Sequence, residues 1–357
     1  MKIDLNRYFY GFRLQLANGS LKEGIMSKLH LPYNQKFDSN AFASGIIRML
    51  GECRYVDAYQ YIKDTLSSLD DTCPNNYRLW KYILQDDSEQ AIRLINRMIK
   101  RVGHGVHRDA ALVFRYGILG GDYVETDCVK RNPYFADMLY NKRVALIGPA
   151  NDPDLELETI SKCHDVIAIL NYSKMGSIGQ YKLNPNCKVV SYYNNEYFAE
   201  ILDSAGESQA IFYEPDGVVL KSVEDIYRLN KDLCNSERIR CKLDMIWFVY
   251  YASSLNMIQS AVLDLIQFHP QAIDIYGCNF HLDKDPYRED YISHAHMQNN
   301  RELIRSMSLH NQIIQYQFLF YLYKYKRINP DNMLRRILDL GVEGFCAEME
   351  MFLSKND

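Results

Sequence analysis

A chain of 357 residues, 47% of them apolar or aromatic, can bury a sizeable core and suits two domains better than one. Its formal net charge of −4, spread over mixed signs, argues against a nucleic-acid or membrane-surface protein held by bulk electrostatics. Nine cysteines, at 53, 73, 128, 163, 187, 234, 241, 278 and 346, are odd in number and never form CxxC, which favours reduced thiols over a disulfide framework or structural zinc.

The opening MKIDLNRYFYGFRLQ has no uninterrupted apolar segment of the secretory type, and no run approaches the ~18 apolar residues of a spanning helix, so a cytoplasmic location is expected. Up to about residue 138 the pattern is helical. DSNAFASGIIRMLGECRYVDAYQYIKDTLSSL carries apolar residues at helical spacing behind an Asp-Ser start. DDSEQAIRLINRMIKRVG has an acidic first turn, a basic last turn and then glycine, and HRDAALVFRYGILGG ends in the same way. Nothing in this part suggests chemistry, and it reads as a packing or partner-binding helical domain, 1–138.

The pattern changes near Asn141. KRVALIGPA, HDVIAILNY, CKVVSYYNN and QAIDIYGCNF are short apolar runs bounded by turn residues, with helical stretches such as NEYFAEILDSA and SSLNMIQSAVLDLIQFH between them. Strands apolar at every position belong to a parallel sheet covered on both faces. The expected fold is α/β, with a doubly wound, mostly parallel Rossmann-like sheet over 139–310 behind an all-α domain. Residues 311–357 read as a helical segment packing on the sheet domain, although the aromatic, basic QYQFLFYLYKYKR also suits a peripheral membrane contact.

Ligands of such sheets bind beyond the carboxyl ends of the strands. The residues placed there are Gly148, Pro149, Ala150 and Asn151 after the first run, Asn171 after the second, Asn194 after the third, and Gly277, Asn279 and His281 after the fourth. The Gly-Pro turn is neither GxGxxG nor a Walker A loop, so a dinucleotide or P-loop nucleotide is disfavoured, but a small turn still lets backbone N–H groups approach a phosphate. For any one asparagine a helix cap or a turn is the better account; three at one sheet edge suit an uncharged polar ligand, such as a base or a ribose, as well as they suit caps. Asp283 and Asp285 spell DxD, the metal-holding motif of some nucleotide-diphosphate-sugar transferases, yet two acids two apart also occur in any solvated loop. His294 and His296 lack an obvious third ligand at a usual spacing, so no metal is assigned.

RVALIGPAND, DVIAILNYS, CKVVSYYNNEYFAEIL and YGCNFHLDKDPY followed by YISHAHMQNNRELI together resemble the bacterial sialyltransferases, which transfer sialic acid from a CMP-activated donor. The resemblance spans about 143–307. It implies an inverting glycosyltransferase with a CMP-sugar donor, a glycan or glycolipid acceptor in surface-polysaccharide synthesis, and no cofactor or metal. It implies a general base at His294, inside Tyr-Ile-Ser-His, and a phosphate-binding hydroxyl at Tyr287. His281 stands where that family has a second phosphate-binding tyrosine. Asn171 and Asn194 would hold the cytidine or donor sugar, with Gly148, Pro149, Ala150, Asn151, Ser254, Gly277, Asn279 and His296 completing the substrate-binding set. The Gly-Pro turn lacks the family's adjacent asparagine and is also similar to that of CMP-Kdo transferases. Two further alternatives are a metal-dependent transferase using Asp283 and Asp285, and a nucleotide-binding interaction protein without turnover.

Overall fold

In the computed structural model, residues 37–150, 152, 155–171, 182–194, 198–199, 202–203, 209–221, 223–242, 255–282 and 311–355 are described. The four apolar runs become strands, because every residue of a strand covered on both sides meets protein: Arg143–Ile147 (β1), Val166–Leu170 (β2), Lys188–Tyr192 (β3) and Ala272–Tyr276 (β6). Three shorter strands join them, Gly217–Leu220 (β4), Ile239–Cys241 (β5) and Asn329–Pro330 (β7). All pairings are parallel, in the order β5-β4-β3-β2-β1-β6-β7. Ala145 of β1 stands level with Ile167 of β2 on one side and Asp274 of β6 on the other. β7 was not anticipated in the tail; a two-residue edge strand ending in proline has almost no pattern to read.

Helices Ser39–Gly51 (α1), Tyr55–Ser67 (α2), Asn75–Leu84 (α3), Ser88–Val102 (α4), Val106–Ile118 (α5), Asp127–Arg131 (α6) and Pro133–Leu139 (α7) precede the sheet. The run expected as one helical stretch from Asp38 breaks between α1 and α2, where Cys53 takes a left-handed φ of 58°. α3 was not anticipated: Asn75, Asn76, Arg78 and Lys81 dilute its apolar pattern, yet Leu79 and Trp80 are buried. Within the sheet region come Leu157–Cys163 (α8), the 3-10 turn Ala210–Tyr213, Val223–Tyr227 (α9), Lys231–Cys234 (α10) and Met257–Ile266 (α11). Gln312–Lys324 (α12), Asn332–Leu338 (α13) and Gly341–Lys355 (α14) close the chain.

One face of the sheet, through Val144, Leu146, Ala168, Val190 and Ile275, shares a continuous core with α1–α5, α11 and the tail helices. The other face packs Ala145, Ile147, Ile167 and Ile169 on Leu157 and Ile160 of α8. The aromatic tail stretch is α12. Its Phe318 lies 5.7 Å from Trp80 and 6.0 Å from Phe114, centroid to centroid, and Tyr316 stacks on Phe345 at 4.2 Å. Lys324 reaches outward to Asp86 Oδ1 at 2.7 Å. Among the described residues no helix is long and apolar enough to cross a membrane.

The amino edge of the sheet is tied by Asp274. Its carboxylate accepts from His164 Nε2 at 2.7 Å, Arg143 Nη2 at 3.1 Å and Asn329 Nδ2 at 2.7 Å, joining β1, β6, β7 and the entry to β2. Burial raises this carboxyl, but the three donors outweigh burial and hold it below the ordinary carboxylate value. A depressed carboxyl contributes stability above the unfolded value, about pH 4, and loses it as pH falls toward the folded one. Asp274→Asn is therefore expected to flatten the loss of stability below about pH 4 in urea melts. An acid limb of unchanged steepness would exclude Asp274 as its source.

Candidate functional site

The chain runs outward from β1 through β2 to β5, then returns to place β6 on the opposite side of β1. The reversal falls between β1 and β6, and it is at the carboxyl ends of the strands beside such a reversal that open parallel sheets bind ligands. Gly148 N–H donates to the Tyr276 carbonyl at 2.7 Å, and Ala150 N–H donates to the Gly277 carbonyl at 2.9 Å. A Cβ on Gly148 would lie 2.2 Å from the Gly277 oxygen, so only glycine allows the two turns to touch. These N–H groups are committed within the protein and Pro149 has none. The expectation that this turn offers its amides to a phosphate is thus corrected at Gly148 and Ala150: the turn supplies close approach, not donors.

Gly277 itself is left-handed, with φ of 63°, and its N–H donates to Asp331 Oδ2 at 2.9 Å. Asp331 also caps α13, Oδ1 accepting from Leu334 N–H at 2.7 Å. Burial lifts this carboxyl above its ordinary value against those bonds. In the sequence the only signal of Asp331 is its place after Asn-Pro and before a helix, which is that of a cap.

Strands β2 and β6 each lead into a buried asparagine whose side-chain oxygen is taken by a backbone N–H. Asn171, after β2, has φ of 54°; its N–H donates to the Tyr192 carbonyl at 2.8 Å and its Oδ1 accepts Asn194 N–H at 3.1 Å. Asn279, after β6, accepts His281 N–H on Oδ1 at 2.9 Å. A backbone N–H can only donate, so the amide orientation is forced in both cases. That leaves Asn171 Nδ2 and Asn279 Nδ2, each buried, with no acceptor among the described residues. The residues are 1% and 5% exposed. An unmet buried donor costs about 1–3 kcal/mol, and two at one sheet edge mark a place where acceptors are expected to arrive from outside.

The turn after β6 is also strained. Phe280 and His281 have φ of 51° and 65°, a conformation that costs an aromatic residue about 1–3 kcal/mol. Phe280 is held there by rings of Tyr316 at 5.5 Å and Phe345 at 5.3 Å. Packing of this kind fixes where Asn279 and His281 stand.

Thus Gly148, Pro149, Ala150, Asn171, Asn194, Gly277, Asn279 and His281 come to the carboxyl edge of the sheet, with Asn171 and Asn194 directly linked. His294, Tyr287, His296, Asn151, Ser254, Asp283 and Asp285 lie outside the described residues. Among the described residues no group of three or more His, Cys, Asp or Glu could hold a metal ion. α11 and α12 also bury the carboxamides Gln259 and Gln312, which carry no signal in the sequence because glutamine inside an apolar helix reads as surface. Comparison with family models, curated proteins and solved structures finds no match to this chain.

Proposed function

We propose that the chain is a glycosyltransferase that moves a keto-sugar of the sialic acid type from a CMP-activated donor to a glycan acceptor. The observation that carries this reading is the pair of uncommitted amide donors, Asn171 Nδ2 and Asn279 Nδ2, on either side of the Gly148–Gly277 contact at the strand reversal. Uncharged, fixed donors suit the carbonyl and hydroxyl oxygens of a cytidine and its sugar. The resemblance of the intervening sequence to sialyltransferases supports the same donor class.

In this reading Asn171 and Asn279 orient the donor, with Asn194 set by Asn171. His294 removes the acceptor hydroxyl proton as that oxygen attacks the anomeric carbon, and the carbon–oxygen bond to CMP breaks on the opposite face, inverting the configuration. Tyr287 and His281 donate to the departing phosphate as its negative charge grows. A single phosphate leaves, so these donors suffice without a diphosphate-bridging metal.

The test is transfer from CMP-sialic acid and CMP-Kdo to glycan acceptors, followed by CMP release with and without EDTA. Release in EDTA is expected, and His294→Ala is expected to slow it by about 10²–10⁴-fold while CMP still raises the melting temperature. Asn171→Ala should weaken CMP binding by about tenfold, the worth of one well-placed donor. Activity that needs Mn²⁺ or Mg²⁺ and disappears in Asp283→Asn/Asp285→Asn would replace this reading with the diphosphate-sugar one. CMP binding without release from either donor, under every condition, would leave a nucleotide-binding protein and no transferase.

A further inference from the structure

α11 and α12 lead into β6 and β7 and so begin at the carboxyl edge of the sheet. Ile258 Cδ1 lies 2.8 Å from where a Gly148 Cβ would stand, which places the start of α11 against the Gly148 turn. The two helices are joined there by carboxamides: Asn256 N–H donates to Gln315 Oε1 at 2.8 Å, and Gln259 Nε2 donates to the Gln315 carbonyl at 3.2 Å. The next residue of α12, Tyr316, packs on Phe280, the residue after Asn279. Gln312 precedes Gln315 by three residues and Tyr316 by four, and so shares this face of the helix.

Around this junction four buried polar groups have no partner among the described residues: Gln259 Oε1, Asn311 Nδ2, and both Gln312 Nε2 and Gln312 Oε1. Gln312 is 1% exposed, Gln259 2% and Asn311 0%. Each unmet group costs about 1–3 kcal/mol, and here four of them fall on three residues at one helix junction beside the carboxyl edge of the sheet. The set includes both donors and acceptors and no charge. Its complement is a ligand that also offers both, namely vicinal hydroxyl groups.

We propose that Gln259, Asn311 and Gln312 form the acceptor subsite at this edge of the sheet, binding the hydroxyl groups of a neutral carbohydrate. The assignment of acceptor rests on the transferase reading; the carbohydrate chemistry rests on the amides. Gln317, five residues on, is also buried with an unpartnered amide but points about 140° away from Gln312 around the helix. It serves as the control.

The experiment measures binding of neutral mono- and disaccharides (glucose, galactose, N-acetylglucosamine, lactose and maltose) to the full chain by saturation-transfer NMR, beside thermal melts with and without CMP. At least one saccharide is expected to bind wild type. Gln312→Leu should bind it about tenfold more weakly, melt no lower than wild type, and keep its response to CMP. Gln317→Leu should bind the saccharide as wild type does. No binding by any of the panel, or equal loss in both variants, overturns the subsite. So does a Gln312→Leu protein that melts several degrees lower with saccharide binding intact, since the amide would then be structural or water-bound. Saccharide binding lost only in Gln312→Leu, with no CMP response in any protein, would leave the subsite standing and remove the CMP donor.

Discussion

Alanine at Gly148 is expected to destabilise the protein by about 3 kcal/mol and, under the proposed function, to abolish CMP binding with it. The added methyl would stand 2.2 Å from the Gly277 carbonyl oxygen and 2.9 Å from its carbon. Neither is the end of a flexible side chain. Gly277 cannot withdraw easily, because its N–H is held by Asp331 and its left-handed φ of 63° is already the conformation the turn requires. Separating the two turns would break the Ala150–Gly277 hydrogen bond of 2.9 Å and displace Asn279, two residues along. Urea denaturation and CMP binding read the two effects separately. Wild-type stability in the alanine variant would mean that the turns do not touch as described.

Asp264→Ala is expected to cost about 3–5 kcal/mol, because it strands a buried cation. Arg240 and Asp264 are 4% and 0% exposed. Asp264 Oδ1 accepts from Arg240 Nη1 at 3.0 Å and Gln267 Nε2 at 2.9 Å; Oδ2 accepts from Tyr192 Oη at 2.8 Å and from Arg240 Nη2. The guanidinium lies over Phe135 at 4.5 Å and Phe268 at 4.8 Å. Burial pulls the arginine's pKa down, and the carboxylate more than offsets this, leaving it above its ordinary value. The cluster joins β5, β3 and α7 to α11, the helix that carries Ile258 to Gly148. Arg240→Met with Asp264→Leu should cost less than the sum of the two single changes, because the double change removes both charges together. Simple additivity in a double-mutant cycle would show that the pair is not coupled.

What the sequence by itself determined is the architecture of the centre of the sheet and the edge at which a ligand is expected. A strand covered on both faces must be apolar at nearly every position, so β1, β2, β3 and β6 were visible as runs of consecutive apolar residues, and Asn171, Asn194 and Asn279 were visible as the polar residues that ended three of them. These are signals carried by a few neighbouring residues. β4, β5 and β7 were not visible, since four, three and two residues are too few to show a pattern. Only the tertiary structure decided which polar atoms are already satisfied. That Gly148 and Ala150 have given their amides to the carbonyls of Tyr276 and Gly277, that Asp331 pins Gly277, and that Gln259 Oε1 and both amide atoms of Gln312 are buried without partners among the described residues are all facts about residues far apart in the chain. Hydrogen-bond satisfaction is a property of the neighbours that folding brings together, and glutamine or glycine spells the same whether or not its neighbours complete it.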